Sequence, residues 1–234
     1  MSVVYLVRHG QGGTRENYDS LSDLGREQAR RLGEYFESQK IGFDAIYSGA
    51  LQRQRATADA ALPGADVIVD PGWNEFDLAQ VYAEMAPHLA AEDDDFCREY
   101  EQMQAALALS RGAHEAPVHR RWNDCDRKIV WAWVESRFDY SGESWPVFVA
   151  RVHAALARLN AAGHEGNVIV FTSATPIGVC AAAALDLQDG RAMSLAAVLL
   201  NGSFTTLRIR QTEIRLFSLN NAPHLDDESL RTFR

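Results

Sequence analysis

Arg8-His9-Gly10-Gln11 stands where a short apolar run (Val3, Val4, Leu6, Val7) stops. A neutral imidazole is a nucleophile, and a guanidinium grips phosphate oxygens through paired N–H bonds, so this pair suits attack on phosphorus. Gly10 frees the backbone to turn directly after it. Read alone, Arg8-His9-Gly10 also suits a strand that merely ends in Arg-His.

A nucleophilic histidine needs further donors to the phosphoryl oxygens and an acid to protonate the leaving oxygen. Candidates follow in order. Tyr47-Ser48-Gly49-Ala50-Leu51-Gln52-Arg53-Gln54-Arg55-Ala56-Thr57-Ala58 offers a helix start with cations. Trp73-Asn74-Glu75 offers a carboxylate, Gly142-Glu143-Ser144 precedes a helix, and Thr172-Ser173-Ala174-Thr175 offers hydroxyls. Without further context, Arg53 and Arg55 read as solvated helix arginines, Asn17 as a turn residue and Glu75 as a loop carboxylate.

Buried strands must deliver these groups, because in open α/β sheets ligands bind beyond the carboxyl ends of the strands. Apolar runs at 3–7, 43–47, 67–69 and 168–171 read as such strands. Helical periodicity lies between them. Ser22 is an expected N-cap, with Gln28, Ala29, Leu32 and Phe36 facing inward. A second helix spans about 51–62 and stops at Pro63-Gly64, a third follows Ser144, and a fourth begins near Pro176. The segments 204–209 and 214–219 alternate as an antiparallel hairpin, and 220–234 reads as a polar surface tail. The expected architecture is a three-layer α/β/α sandwich with a mostly parallel central sheet in a single domain, 1–234.

Residues 78–141 break this rhythm and read as an inserted helical cap over the site. The run Glu92-Asp93-Asp94-Asp95 suits a helix N-terminus, and Trp122, Trp131 and Trp133 suit a cap core. His114, His119 and Asp124 fit no ordinary metal-ligand spacing, so no metal site is expected.

Of the 234 residues, 47% are hydrophobic and 24% charged, as in an ordinary globular protein, and the net charge of -9 argues against nucleic-acid binding. No membrane span or signal-peptide pattern is read, and Cys97, Cys125 and Cys180 suit reduced thiols, so a cytoplasmic protein is expected. A homodimer is compatible with the sequence.

Five motifs in order resemble the histidine phosphatase superfamily, the phosphoglycerate mutase-like family. They are Arg8-His9-Gly10, the helix start Leu21 to Ala29, the stretch Ser48 to Thr57, Glu75 after Asn74, and Gly142-Glu143-Ser144. The resemblance implies a phosphomonoesterase acting on a small phosphorylated substrate. His9 would form a phosphohistidine, Arg8, Asn17 and Arg53 would bind the phosphoryl group, and Glu75 would act as general acid. It implies no cofactor and no metal, because arginines and helix N-termini supply the positive field. The family's second histidine is missing: aligned through the strand 168–171, Ser173 falls in its place, a one-residue slip would put Ala174 there, and the stretch resembles a bacterial-type subgroup with Thr-Ser at this point. Loss of one charged hydrogen bond costs roughly 1.5–3 kcal/mol, so a slower enzyme is expected. Phosphoglycerate mutase-type transfer and a non-catalytic phosphate-ester-binding pseudoenzyme are the alternatives. Arg120-Arg121 in the cap resembles the mutases' paired arginines only faintly.

Overall fold

Strand β1 (Ser2–Arg8) is buried on both faces, with Val4, Leu6 and Val7 fully inaccessible. Such a strand belongs in the middle of a covered sheet. The computed structural model, which describes residues 2–14, 17–109, 123–211 and 213–233, places it there. The strand order is β3-β2-β4-β1-β5-β6. Strands β2 (Ala45–Ser48), β3 (Ile68–Val69) and β4 (Asn167–Thr172) are joined to each other and to β1 by parallel pairings, and β5 (Phe204–Arg210) and β6 (Glu213–Asn221) continue antiparallel from β1. The protein is therefore a mixed α/β fold with a mostly parallel six-stranded sheet flanked by helices.

Side-chain alternation assigns the faces. Val7, Ile169, Phe171 and Phe204 pack with Ala29, Leu32 and Phe36 of α1 (Asp23–Ser38) and with Ala58 and Ala61 of α2 (Gln52–Ala61). Val4, Leu6, Val168 and Val170 point the other way and are equally buried. Helix α7 (Ala174–Ala184) packs against β1, β5 and β6, and against α8 (Arg191–Ala196). Ser22 caps α1 by accepting from Gly25 N–H at 3.0 Å, and Gln28, Ala29, Leu32 and Phe36 lie on its buried stripe. The expected third strand shrinks to Ile68 and Val69, both exposed, because Val67 packs instead against the apolar cluster.

Two compact units divide the chain: Met1–Glu75 with Arg151–Arg234, and Phe76–Ala150. The expected insertion falls within the second. That unit contains α3 (Leu78–Glu92), α4 (Asp94–Leu109), α5 (Asp124–Val134) and the start of α6 (Trp145–Ala161). Its aromatic core stacks Phe76 on Trp133 at 4.5 Å, with Trp145 and Phe148 beside them. Asp93 accepts from the Asp95 and Phe96 N–H groups at the start of α4. His114, His119, Arg120, Arg121 and Trp122 lie outside the described residues. Asp124 is exposed and paired with Arg127 at 2.8 Å. Among the described residues no helix is long and apolar enough to cross a membrane.

The C-terminal segment corrects one expectation. It is no solvated tail: His224, Leu225 and Leu230 are buried. Backbone carbonyls anchor it, since Gln28 Nε2 donates to Leu230 O at 2.7 Å and Asn201 N–H donates to Thr232 O at 2.8 Å. Arg8 also donates to Phe233 O. Acceptors on the main chain carry no side-chain pattern, so polarity alone misjudged the segment.

Candidate active site

Strands β1, β2 and β4 end side by side, at Arg8, Ser48 and Thr172. His9 is the first residue past β1, and its N–H donates to Thr172 O at 2.9 Å. The chain turns at Gly10, where a Cβ would meet Gly25 O at 2.3 Å; only glycine permits this approach to α1. Gly10 N–H donates to Thr57 Oγ1 at 3.1 Å, and Asn201 Nδ2 donates to His9 O at 3.2 Å. The residue is thus held on three sides and 3% exposed, which fixes where its ring can point.

The ring's protonation follows from its neighbours. His9 Nδ1 lies 2.7 Å from Gly10 O, and a carbonyl only accepts, so Nδ1 carries the proton. Nε2 then holds a lone pair, and Arg53 Nε donates to it at 3.2 Å. Burial, then the Arg53 and Arg8 guanidinium groups, hold this imidazole well below its ordinary 6.5. The geometry gives a neutral imidazole whose Nε2 lone pair lies beside a cation.

Arg53, on the first turn of α2, is 7% exposed. Its Nη1 pairs with Asp19 Oδ1 at 2.8 Å, and the Tyr18 ring lies 5.2 Å below the guanidinium carbon. Asp19 also accepts from Gln52 N–H at 3.0 Å, so it caps the start of α2. Sequence reasoning missed Asp19, because its partner lies 34 positions away and no local spacing links them.

Arg8 is buried, and its two terminal nitrogens donate to Leu199 O and Phe233 O. In this arrangement the guanidinium lends charge to His9 while its terminal nitrogens hold the C-terminal segment. Asn17 is exposed, and its described hydrogen bonds are all from its backbone.

Glu75 follows the 3-10 turn Pro71–Trp73. Arg151 Nη1 donates to Gly72 O at 2.9 Å and Asn74 O at 3.1 Å, while Asn74 Oδ1 accepts from Ala50 N–H at 2.6 Å. These bonds set the loop, and Glu75 Oε2 accepts from Thr175 N–H at 3.2 Å in the first turn of α7. Ser173, fully buried at the N-cap of that helix, makes no capping bond. Its Oγ accepts from Gln54 Nε2 at 2.8 Å instead. His9 and Arg53 are therefore in direct contact, Glu75 and Ser173 share the α7 N-terminus, and Gln54 links that helix to α2.

A buried imidazole and a buried arginine meet at the carboxyl end of a parallel sheet, with a carboxylate on the neighbouring helix N-terminus, and groups of these types in this place suit phosphate chemistry. Residues 4–132 and 126–222 match the histidine phosphatase superfamily (branch 1), and the chain belongs to that family. Its fold is similar to that of phosphoserine phosphatase from Entamoeba histolytica, solved as a mutant with phosphoserine: 18% identity, TM-score 0.63, covering 96% of this chain and 100% of that one. A putative alpha-ribazole-5'-P phosphatase from Escherichia coli is similar at 19% identity and TM-score 0.63, covering 95% and 98%. Mycobacterial glucosyl-3-phosphoglycerate phosphatase is similar at 22% identity and TM-score 0.60, covering 94% and 99%. No curated protein matches.

Proposed function

We propose that the protein is a phosphomonoesterase that hydrolyses a small phosphorylated substrate through a phosphohistidine on His9. The observation that carries the reading is the His9 ring itself, with Nδ1 committed to Gly10 O and the Nε2 lone pair held beside Arg53.

In the first step Nε2 forms a bond to phosphorus as the bond to the leaving oxygen breaks. That oxygen keeps the electron pair and takes a proton from the Glu75 carboxyl group. Arg53 turns its N–H groups from Nε2 to the phosphoryl oxygens, and the Gly10 carbonyl supports the charge that develops on the ring. In the second step the Glu75 carboxylate takes a proton from water, the water oxygen bonds to phosphorus, and the P–N bond breaks. Inorganic phosphate leaves, and Nε2 regains its lone pair. The Ser173 hydroxyl supplies a hydrogen bond in place of a second imidazole, while the Thr175 N–H, which donates to Glu75, holds that carboxyl group. Asn17 joins the phosphate-binding set only if its side chain turns inward on binding.

Binding without turnover is the second reading. Ser173 in the second histidine's place and the carboxylate of Asp19 on Arg53 favour it. Steady-state hydrolysis of a chromogenic aryl phosphate by the wild type and His9→Ala separates the two. Turnover that disappears in the variant supports the esterase. Saturable phosphate-ester binding with no hydrolysis in either protein supports the binding module, and equal turnover in both overturns the phosphohistidine route.

A further inference from the structure

Gln54 is fully buried, and its amide has one possible orientation. Trp73 O can only accept, and Leu51 N–H can only donate. Nε2 therefore faces Trp73 O at 3.0 Å, and Oε1 faces Leu51 N at 3.3 Å. Thr172 Oγ1 donates to the same Trp73 carbonyl at 2.6 Å, which fixes that acceptor. The second hydrogen on Gln54 Nε2 then meets Ser173 Oγ at 2.8 Å.

This bond dictates what the serine can do. A hydroxyl has one hydrogen and two lone pairs, and Gln54 takes a lone pair. The N-cap role, in which Ser173 Oγ would accept from the first turn of α7, is not used. Among the described residues the Ser173 hydroxyl donates to no acceptor, although the residue is fully buried. A buried hydroxyl hydrogen without an acceptor is costly, so its environment favours an incoming acceptor. Ser173 is the residue after Thr172, which pairs with Arg8 in the sheet and whose carbonyl holds His9 N–H.

We propose that Gln54 is a positioning residue that forces the Ser173 hydroxyl to donate to a phosphoryl oxygen, in place of the missing imidazole. The proposal rests on the phosphohistidine reading for its catalytic consequence, but not for anion binding. Gln54 touches no substrate; it acts through Ser173 alone.

The test is a double-mutant cycle of Gln54→Leu and Ser173→Ala, read as aryl phosphate hydrolysis and as calorimetric affinity for inorganic phosphate. Each single variant is expected to lose about 10- to 100-fold in both readouts, the worth of one hydrogen bond to a charged oxygen, and the double variant no more than either single. A general structural defect would instead lower activity equally in both serine and alanine backgrounds, and that additivity overturns the proposal.

Gln54→Glu keeps the shape and serves if the leucine variant does not fold. Its ionised carboxylate accepts from Ser173 and withdraws the hydroxyl hydrogen from the site. Relative to wild type, this variant regains activity and phosphate affinity as acid protonates the carboxyl group. A profile parallel to wild type contradicts the proposal. Wild type without His9-dependent turnover refutes the esterase reading alone, because the phosphate-affinity cycle still decides the role of Gln54.

Discussion

Nε of Arg53 donates to Nε2 of His9 at 3.2 Å, so the cation expected to grip phosphate also occupies the imidazole's lone pair. Approach of a phosphoryl group exchanges one acceptor for another, and the arginine stays satisfied throughout. Burial first, and then this contact, keep the imidazole neutral, because a proton on Nε2 would be desolvated and would face the guanidinium.

The pH profile follows. Burial holds His9 well below 6.5, so on the proposed route the acid limb of kcat/KM should lie below that value, the imidazole staying neutral as pH falls through 6.5. Arg53→Gln removes one lowering influence but leaves burial, the largest, in place. The limb therefore moves up towards 6.5 without reaching it, together with a large loss of kcat/KM. A limb that stays fixed in the variant would show that Arg53 does not set this titration.

Asp19 competes with any anion for Arg53 Nη1. Asp19→Asn retains an oxygen acceptor for the α2 N-terminus and removes the charge. Inorganic phosphate should bind roughly 2- to 5-fold tighter, the worth of a half-exposed ion pair. The gain should shrink at high salt. Weaker binding in calorimetry would instead mean that the carboxylate holds Arg53 in place for the ligand.

His224 gives the fold its own acid sensitivity. Burial pushes its imidazole down from 6.5 to about 4, against the Tyr35 ring 6.2 Å away. The unfolded chain protonates near 6.5 and the folded one only near 4, so stability is intact above 6.5 and is lost as pH falls through that window. The loss amounts to about 3 kcal/mol when complete. Denaturant unfolding at stepped pH should show a shallower acid slope in His224→Phe, and an unchanged slope would place the sensitivity elsewhere.

Gln28 joins α1 to the loop after β1 and to the C-terminal segment. Its Oε1 accepts from Gln11 N–H at 2.8 Å, and its Nε2 donates to Leu230 O and Thr232 Oγ1. Gln28→Leu leaves these partners buried without it, at a cost of about 2–4 kcal/mol. Chemical denaturation should show that loss, and a cost below about 0.5 kcal/mol would mean that the C-terminal segment is not held through this residue.

Local pattern made much of this fold legible. The β1 run, the Ser22 cap and the α1 stripe each depend on residues within a few positions of one another, where periodicity carries the signal. The histidine at the end of β1 was legible for the same reason. Helix α8 was not anticipated, since six residues give too little periodicity. The pairing of Asp19 with Arg53, the Gln54 amide bridge and the anchored C-terminal segment depend on groups far apart in the chain. Arg8 shows the limit best: its type suggests phosphate, while its described bonds run to the backbone carbonyls of Leu199 and Phe233.

The most direct test is to quench wild-type protein during turnover of an aryl phosphate under alkaline conditions, which preserve phosphohistidine, and map the modified peptide. The account predicts one phosphoryl group on the peptide containing His9, attached at Nε2 and missing from His9→Ala. Turnover with no labelled peptide, or a label on another residue, would contradict it.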